Sequence, residues 1–122
     1  MILVDTSVWI DHLHKGIPAL AAALERQDVL SHPFVVGELA CGQLARRREV
    51  LDLLSDLPRT IVASDPEALQ LIDRHRLHGK GIGYIDVHLL ASVMLTGTAE
   101  LWTRDKGLAA IAAQLGIGFN AR

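Results

Sequence analysis

The chain of 122 residues is long enough to fold as one domain with its own hydrophobic core. Half of the residues are hydrophobic (50%) but only 4% are aromatic, so the core must consist mainly of aliphatic side chains. This composition, with an ordinary 21% of charged residues, excludes a disordered chain, a collagen-like repeat and a disulfide scaffold. The formal net charge of −2 argues against a protein that binds nucleic acid by bulk positive charge alone.

The sequence carries no recognisable targeting or membrane segment. The N-terminal stretch lacks a basic region, and Asp5 and Asp11 interrupt its apolar residues, so it does not resemble a signal peptide. The best apolar run elsewhere, residues 89–95, includes Ser92 and is much shorter than a membrane span. Cys41 is the only cysteine, and we expect it to pack as a small hydrophobic side chain. These features predict a cytoplasmic protein without membrane association.

Short apolar runs alternate with stretches of helical periodicity along the chain. In chain order, the pattern predicts a strand at 1–4, a helix carrying Val8 to Leu13, a helix at 19–26, a strand at 29–31, helices at 33–44 and 46–54, a strand at 60–63, a helix at 65–78, a glycine-containing loop at 79–83, a helix at 84–95, a strand at 100–103, a helix at 106–115 and a last strand at 117–120. The alternation predicts an α/β domain whose parallel sheet is covered by helices on both faces. With no repeat and no linker, we expect a single domain over residues 1–122.

Local signals support the helix boundaries. Pro18 and Pro33 stand where the first turn of a helix accepts proline, because that position needs no backbone N–H. Ser64 and Glu67 have the spacing of a capping box, and Gly116 is placed to end the last helix.

Four of the fourteen acidic residues lie where a solvated carboxylate is not expected. Asp5 and Asp105 directly follow predicted strands, at the carboxyl ends where an open parallel sheet forms its ligand crevice. Asp86 and Glu38 lie on predicted helices and have apolar or small residues three and four positions away. Three of them have an ordinary alternative, which is a helix N-cap for Asp5 and Asp105 and a buried ion pair for Asp86.

Taken together, the four carboxylates favour a metal site. In one crevice they would repel one another unless divalent cations neutralised them. Oxygen ligands suit hard cations such as Mg²⁺ or Mn²⁺, and none of the six histidines has the spacing of a zinc-hydrolase motif. An acidic site of this kind on an α/β sheet is typical of phosphoryl transfer, in which the ion activates a water.

At these positions the sequence resembles the PIN-domain ribonucleases of the VapC toxin type, the nuclease component of bacterial toxin–antitoxin pairs. The matching segments are residues 2–7, 36–39, 85–91 and 101–106, which together span nearly the whole chain. The resemblance implies a three-layer α/β/α domain with a parallel sheet of about five strands in the order 3-2-1-4-5. It also implies Mg²⁺- or Mn²⁺-dependent cleavage of RNA, in which the catalytic and metal-binding residues are Asp5, Glu38, Asp86 and Asp105.

The resemblance assigns further roles around these acids. Ser7 and Thr103 match hydroxyl positions that support the acids by hydrogen bonds. Some relatives carry another acid after the position of Asp105, whereas this chain continues with Lys106, Gly107 and Leu108, so one ion is expected in the absence of substrate. The implied partners are an RNA substrate, a VapB-like antitoxin lying along helices near Trp9, Leu13 and Leu44, and a second copy in a homodimer.

Two basic clusters are candidate RNA contacts, and their alternative is a solvated helix face. A mostly acidic site repels RNA, so positive rims would help to hold a phosphate backbone. The clusters comprise Arg46, Arg47 and Arg48 in the first, and Arg74, Arg76 and Lys80 in the second.

Other functions remain open at this point. A phospho-acceptor receiver domain has a similar length but needs an adjacent acidic pair, whereas Asp5 is followed by Thr6 and Ser7. A haloacid-dehalogenase-type phosphatase needs a second Asp where Ser7 stands. The loop at residues 79–83 lacks both common nucleotide-loop spacings and is better explained as a hinge. A PIN-fold binding module without nuclease activity is the remaining alternative.

Overall fold

A parallel three-stranded sheet lies at the centre of the fold. The computed structural model describes residues 1–121. Strands β1 (Ile2–Val4), β2 (Val29–Leu30) and β3 (Glu100–Trp102) are arranged in the order β2-β1-β3. All three side chains of β1 are at most 3% exposed. Because successive side chains of a strand point to opposite faces, this burial means that both faces of the sheet are covered.

The two outer strands predicted from the sequence are reduced to single bridges. Ser31, just after β2, pairs with Arg59, and Leu101 of β3 pairs with Gly118, both in parallel orientation. The five segments therefore lie in the lateral order 3-2-1-4-5, but only the inner three are strands. The expected count of about five strands is thus corrected to three.

Competing hydrogen bonds explain why the segment at 60–63 is not a strand. Thr60 N–H still donates to the Ser31 carbonyl, at 3.1 Å. Beyond it, Ile61 N–H donates to the Thr96 hydroxyl and Ala63 N–H donates to the Ser92 hydroxyl, each at 3.0 Å. Because these two backbone N–H groups donate to side-chain hydroxyls of a helix, they are not available to extend the hydrogen-bond ladder of the sheet.

The segment at 117–120 diverges for a similar reason. Leu101 exchanges hydrogen bonds with the Ile117 carbonyl and the Phe119 N–H, at 2.7 and 2.9 Å. Ile117 N–H instead donates to the Ala112 carbonyl at the end of the preceding helix. One pairing with the sheet remains.

Seven helices surround the sheet within residues 1–121. They are α1 (Thr6–Lys15), α2 (Pro18–Glu25), α3 (Pro33–Cys41), α4 (Arg47–Asp56), α5 (Asp65–His75), α6 (Tyr84–Thr96) and α7 (Lys106–Gln114). The first-turn prolines of α2 and α3 and the capping box of Ser64 and Glu67 are confirmed. Two helices end about three residues earlier than predicted. Gly42 is extended after α3, and Arg76 adopts a left-handed φ of 53° after α5.

Helix α6 is the central helix of the core. Its residues 87–93 are all buried, including the polar side chains of His88 and Ser92. Trp9 of α1 is also buried, at 1% exposure, so it packs in the core. No helix within residues 1–121 combines the length and apolar character needed to cross a bilayer.

Candidate active site

Asp5 lies at the carboxyl end of β1 and is held by three hydrogen bonds. It is 7% exposed and caps α1, because its Oδ1 accepts the Thr6 N–H at 2.8 Å. Its Oδ2 accepts the hydroxyls of Ser7 and Thr103, at 3.0 and 2.7 Å. Asp5 is therefore both a helix cap and a residue of the crevice. Ser7 and Thr103, which the resemblance assigns to supporting the acids in general, both donate to Asp5.

The loops after β1 and β3 are joined by reciprocal hydrogen bonds. Thr103 Oγ1 donates to Asp5 and accepts the Asp105 N–H at 3.1 Å. Ser7 Oγ likewise donates to Asp5 and accepts the Arg104 N–H, also at 3.1 Å. Each hydroxyl thus connects the Asp5 carboxylate to the backbone that carries Asp105, which positions these two acids relative to each other.

Asp105 is exposed at the carboxyl end of β3 and caps α7. Its Oδ1 accepts the Leu108 N–H at 3.0 Å. The space beside this oxygen is limited, because a Cβ at Gly107 would lie 3.3 Å from it. Gly107 therefore leaves room for the Asp105 carboxylate. It lies in the segment 106–108, where this chain lacks the further acid that some relatives carry.

Asp86 is half-buried in the first turn of α6. Its Oδ2 accepts the Gly83 N–H at 3.2 Å. Burial raises the pKa of Asp86, and the negative charges of Asp5, Asp105 and Glu38 raise it further, while the Gly83 hydrogen bond opposes the rise. The four acids singled out in the sequence therefore lie within electrostatic reach of one another.

Glu38 corrects one sequence interpretation. Its apolar neighbours suggested a buried face, but Glu38 is exposed on α3, together with Phe34 and Cys41. Cys41 accordingly is not packed as expected. Glu38 Oε1 accepts the Thr6 hydroxyl at 2.7 Å, which joins α3 to α1 at the edge of the acid cluster. The apolar residues indicated an exposed apolar surface beside the cluster rather than core.

The acids match a hard divalent cation in chemistry but do not form a closed ligand set. Within residues 1–121, no three His, Cys, Asp or Glu side chains are placed so that they could hold a metal ion. One carboxylate oxygen each of Glu38, Asp86 and Asp105 accepts no hydrogen bond from the described part of the chain. Because these are hard oxygen donors whose mutual repulsion a cation would relieve, the donor set suits Mg²⁺ or Mn²⁺.

The six predicted RNA-contact residues are all exposed, but they lie in two separate segments, one at the start of α4 and one at and after the end of α5. They are Arg46, Arg47, Arg48, Arg74, Arg76 and Lys80. Arg46 lies 4.0 Å from Glu49, and Arg47 donates to the Ala40 carbonyl at 3.1 Å. Two cations, Arg104 and Lys106, adjoin Asp105 in the sequence, and the Arg104 guanidinium contacts Asp11 at 3.2 Å. The sequence analysis missed Arg104, although its place beside Asp105 was a usable signal.

A hydrogen-bonded cluster that was not predicted from the sequence joins the starts of α5 and α6. Asp65 Oδ1 accepts the Tyr84 hydroxyl at 2.7 Å and lies 3.0 Å from His88 Nε2. These hydrogen bonds lower the pKa of Asp65, with the bond from Tyr84 the larger cause, and raise the pKa of Tyr84. The group joins the start of α5 to the first two turns of α6, the segment that carries Asp86.

His32 begins the helix that carries Glu38. Its Nδ1 accepts the Phe34 N–H at 3.0 Å and caps α3, and its Nε2 lies 3.0 Å from Ser92 Oγ. Burial, followed by the charges of His88 and Arg59, lowers the pKa of His32 to about 4. The neutral ring with its proton on Nε2 satisfies both contacts.

Comparison with known proteins gives a consistent result over the same region. A family model described as PIN domain matches residues 2–114. Two proteins named Ribonuclease VapC32, from Mycobacterium tuberculosis strains CDC 1551 / Oshkosh and ATCC 25618 / H37Rv, are each 48% identical to this chain over 117 residues. The alignments cover 96% of this chain and 94% of each relative. The segment matched by the family model contains all four acids of the cluster.

Proposed function

Since the chain belongs to the VapC family of PIN-domain ribonucleases, we propose that it is a divalent-metal-dependent endoribonuclease and the toxin of a bacterial toxin–antitoxin pair. This membership excludes the receiver-domain alternative. The observation that carries the proposal is the approach of four carboxylates at the strand ends, where Asp86 has a raised pKa because of its burial and the other three charges. Such an arrangement is unfavourable unless a cation offsets the charges.

We assign the ion to Asp5, Glu38, Asp86 and Asp105, whose carboxylates would have to lie closer together around it than they do in the structure. A bound Mg²⁺ or Mn²⁺ would supply positive charge to the scissile phosphate and lower the pKa of a water molecule. Three hydrogen-bond donors orient the Asp5 carboxylate before an ion binds. The Glu38 oxygen that does not contact Thr6 is free to orient the attacking water. The supporting hydroxyls of Ser7 and Thr103 keep the Asp5 carboxylate aligned.

Several partners follow from this function. The exposed arginines and Lys80 would contact the RNA backbone, together with Arg104 and Lys106, which adjoin Asp105 in the sequence. A VapB-like antitoxin would use exposed apolar side chains of α1, such as Ile10 and Leu13, because Trp9 is buried. A homodimer in the cytoplasm completes the proposal. Its mass can be measured by light scattering after size-exclusion chromatography.

The decisive experiment compares Asp5→Asn with the wild type in an RNA cleavage assay. Asp5→Asn keeps the shape of the side chain but removes a charge, so we expect at least a 100-fold loss of cleavage in Mg²⁺. EDTA should abolish wild-type cleavage. Asp52→Asn, the same change at an exposed position of α4, is the matched control and should be fully active.

The outcome separates the open alternatives. Circular dichroism of both variants establishes that a loss does not reflect unfolding. Cleavage by Asp5→Asn at the wild-type rate would contradict the site assignment. Binding of RNA without cleavage in any divalent metal would instead indicate a PIN-fold binding module.

A further inference from the structure

An open groove lies directly beside the acid cluster, between α3 and the start of α6. It has a volume of about 600 Å³, and its lining is mostly apolar or small: Thr6, Pro33, Phe34, Gly37, Glu38, Cys41 and Ile85. Thr6 and Glu38 belong to both the groove and the acid cluster, where they are joined by a 2.7 Å hydrogen bond. The groove is therefore continuous with the proposed cleavage site.

Phe34 presents an aromatic surface to this groove. It is 37% exposed and lies one helical turn before Glu38, on the same side of α3. Its ring packs against two buried rings, with centroids 5.2 Å from His32 and 5.0 Å from His88. Because both histidines are at most 2% exposed, they leave the Phe34 ring little freedom to move away from the groove.

The supporting rings are themselves held in place. His88 lies 3.0 Å from Asp65 and packs edge-on against Tyr84, with centroids 4.6 Å apart. His32 contacts Ser92 through Nε2 and the Phe34 backbone through Nδ1. An exposed ring supported in this way is preorganised, so a ligand that stacks on it has little ordering cost to offset.

The chemistry of the groove selects its occupant. An apolar pocket with an aromatic wall takes a planar, uncharged group, while the adjacent Glu38 disfavours an anion such as a phosphate. RNA supplies a planar base on each side of the phosphate that is cut. Bases of single strands stack on aromatic side chains, and such contacts contribute to RNA affinity.

We propose that this groove is a nucleobase subsite, in which one unpaired base next to the scissile phosphate stacks on Phe34. The proposal rests on the ribonuclease function proposed above. It implies that the substrate is unpaired at that nucleotide, since a base within a duplex cannot reach the groove. The subsite selects and positions RNA, while the acids act on the phosphate.

Cleavage kinetics on a short single-stranded RNA provide the first test. Phe34→Ala should raise KM about 5- to 100-fold, as expected for a lost stacking contact, with a smaller change in kcat. Phe34→Trp should retain a KM near that of the wild type, and Phe34→Leu, which keeps apolar volume without an aromatic face, should resemble Phe34→Ala. Leu69→Ala, at an exposed apolar position of α5, is the matched control.

Abasic substrates identify the base that occupies the groove. Bases are removed one at a time around the cleavage site. At one position the abasic substrate should bind the wild type more weakly than the intact RNA does, while the affinity of Phe34→Ala should not change. Equal losses for both proteins at every position, or an unchanged KM for Phe34→Ala, would overturn the subsite. Thermal unfolding of each Phe34 variant separates a folding defect from a binding defect.

Cys41 gives a readout that does not depend on cleavage. It is the single cysteine, it is exposed, and it lines the groove. In EDTA, the same RNA should slow maleimide modification of Cys41, and its abasic version should slow it less. Protection without cleavage in any metal would contradict the ribonuclease function but support the subsite. Protection that grows with protein concentration in the absence of RNA would instead assign the groove to a second copy and overturn the inference.

Discussion

The two halves of the acid cluster differ in how firmly they are held. On the strand side, Asp5 is buried and receives three hydrogen bonds, and two of its donors also accept backbone N–H groups beside Asp105. On the helix side, Glu38 is exposed and, within residues 1–121, has one hydrogen-bond partner, Thr6, while Asp86 has one, the Gly83 N–H. The groove lined by Phe34 lies mainly next to the helix side and reaches the strand side at Thr6.

This difference suggests a division of labour. Charged groups that must hold a constant geometry benefit from donors placed before the reaction begins. Side chains that must adjust as an ion and RNA arrive benefit from having fewer restraints, provided that the element carrying them is well anchored. The anchors of the helix side are His32 at the start of α3 and the contact of His88 with Asp65. Perturbing each half separately should therefore give different signatures.

Protonation of His32 at acidic pH should lower the free energy of unfolding of the protein by about 3 kcal/mol. Its folded pKa of about 4 lies below the ordinary value of 6.5, so between these pH values the unfolded chain binds a proton that the folded chain does not. The free energy of unfolding should fall as the pH drops from about 6.5 to 4 and then level off. Protonation of Nδ1 also removes the acceptor for the Phe34 N–H, which loosens the helix that carries Glu38. Urea unfolding at a series of pH values measures the effect.

Two variants isolate this contribution from the other ionisable groups of the protein; the charges of His88 and Arg59, which face His32, stay present in both. His32→Asn retains a side-chain oxygen that can cap α3 but does not titrate, so its unfolding free energy should vary less between pH 6.5 and 4. His14→Asn, at an exposed position of α1, should behave like the wild type. Parallel pH curves for the wild type and His32→Asn would be inconsistent with this role of His32.

Removing one hydroxyl from the strand side should reduce cleavage by 10- to 100-fold. Thr103→Val keeps the shape of the side chain but removes a donor to Asp5 and the acceptor for the Asp105 N–H. Because both acids are expected to bind the ion, kcat should fall and the Mg²⁺ concentration for half-maximal activity should rise. Thr98→Val, at an exposed position, is the control. A change below twofold in both quantities would mean that Asp5 does not depend on Thr103 for its alignment.

The sequence predicted the strand side of the site better than the helix side, and the reason is physical. Asp5 directly follows β1, and Asp105 comes three residues after the end of β3, so their place at the edge of the sheet depends on local sequence and on the parallel arrangement. The role of these acids in metal binding stays a prediction. The exposure of Glu38 depends on which face of α3 packs inward, and apolar neighbours such as Phe34 pointed to the wrong face.

The fold shows the same contrast between local and long-range determinants. Inner strands, helix starts and the α/β class follow from patterns within a few residues, and these predictions are confirmed. The prediction of an outer strand at 60–63 was wrong because the hydroxyls of Ser92 and Thr96, about thirty residues away in the chain, accept the hydrogen bonds of its backbone N–H groups. Likewise, the contact of Phe34 with His32 and His88 brings together residues from separate segments. No local pattern carries that information.

The smallest effect is expected where the two halves meet, at the hydrogen bond from Thr6 to Glu38. Thr6→Val removes this 2.7 Å contact while leaving the Thr6 N–H that Asp5 accepts. Since Glu38 is exposed, water replaces much of the lost bond, and we expect a penalty of about 1 kcal/mol, or roughly fivefold in kcat/KM. A double-mutant cycle with Glu38→Ala, which removes the acceptor, measures the coupling directly. A coupling as large as the effect of Thr103→Val would mean that the helix side is held as firmly as the strand side, and the division of labour between them would not stand.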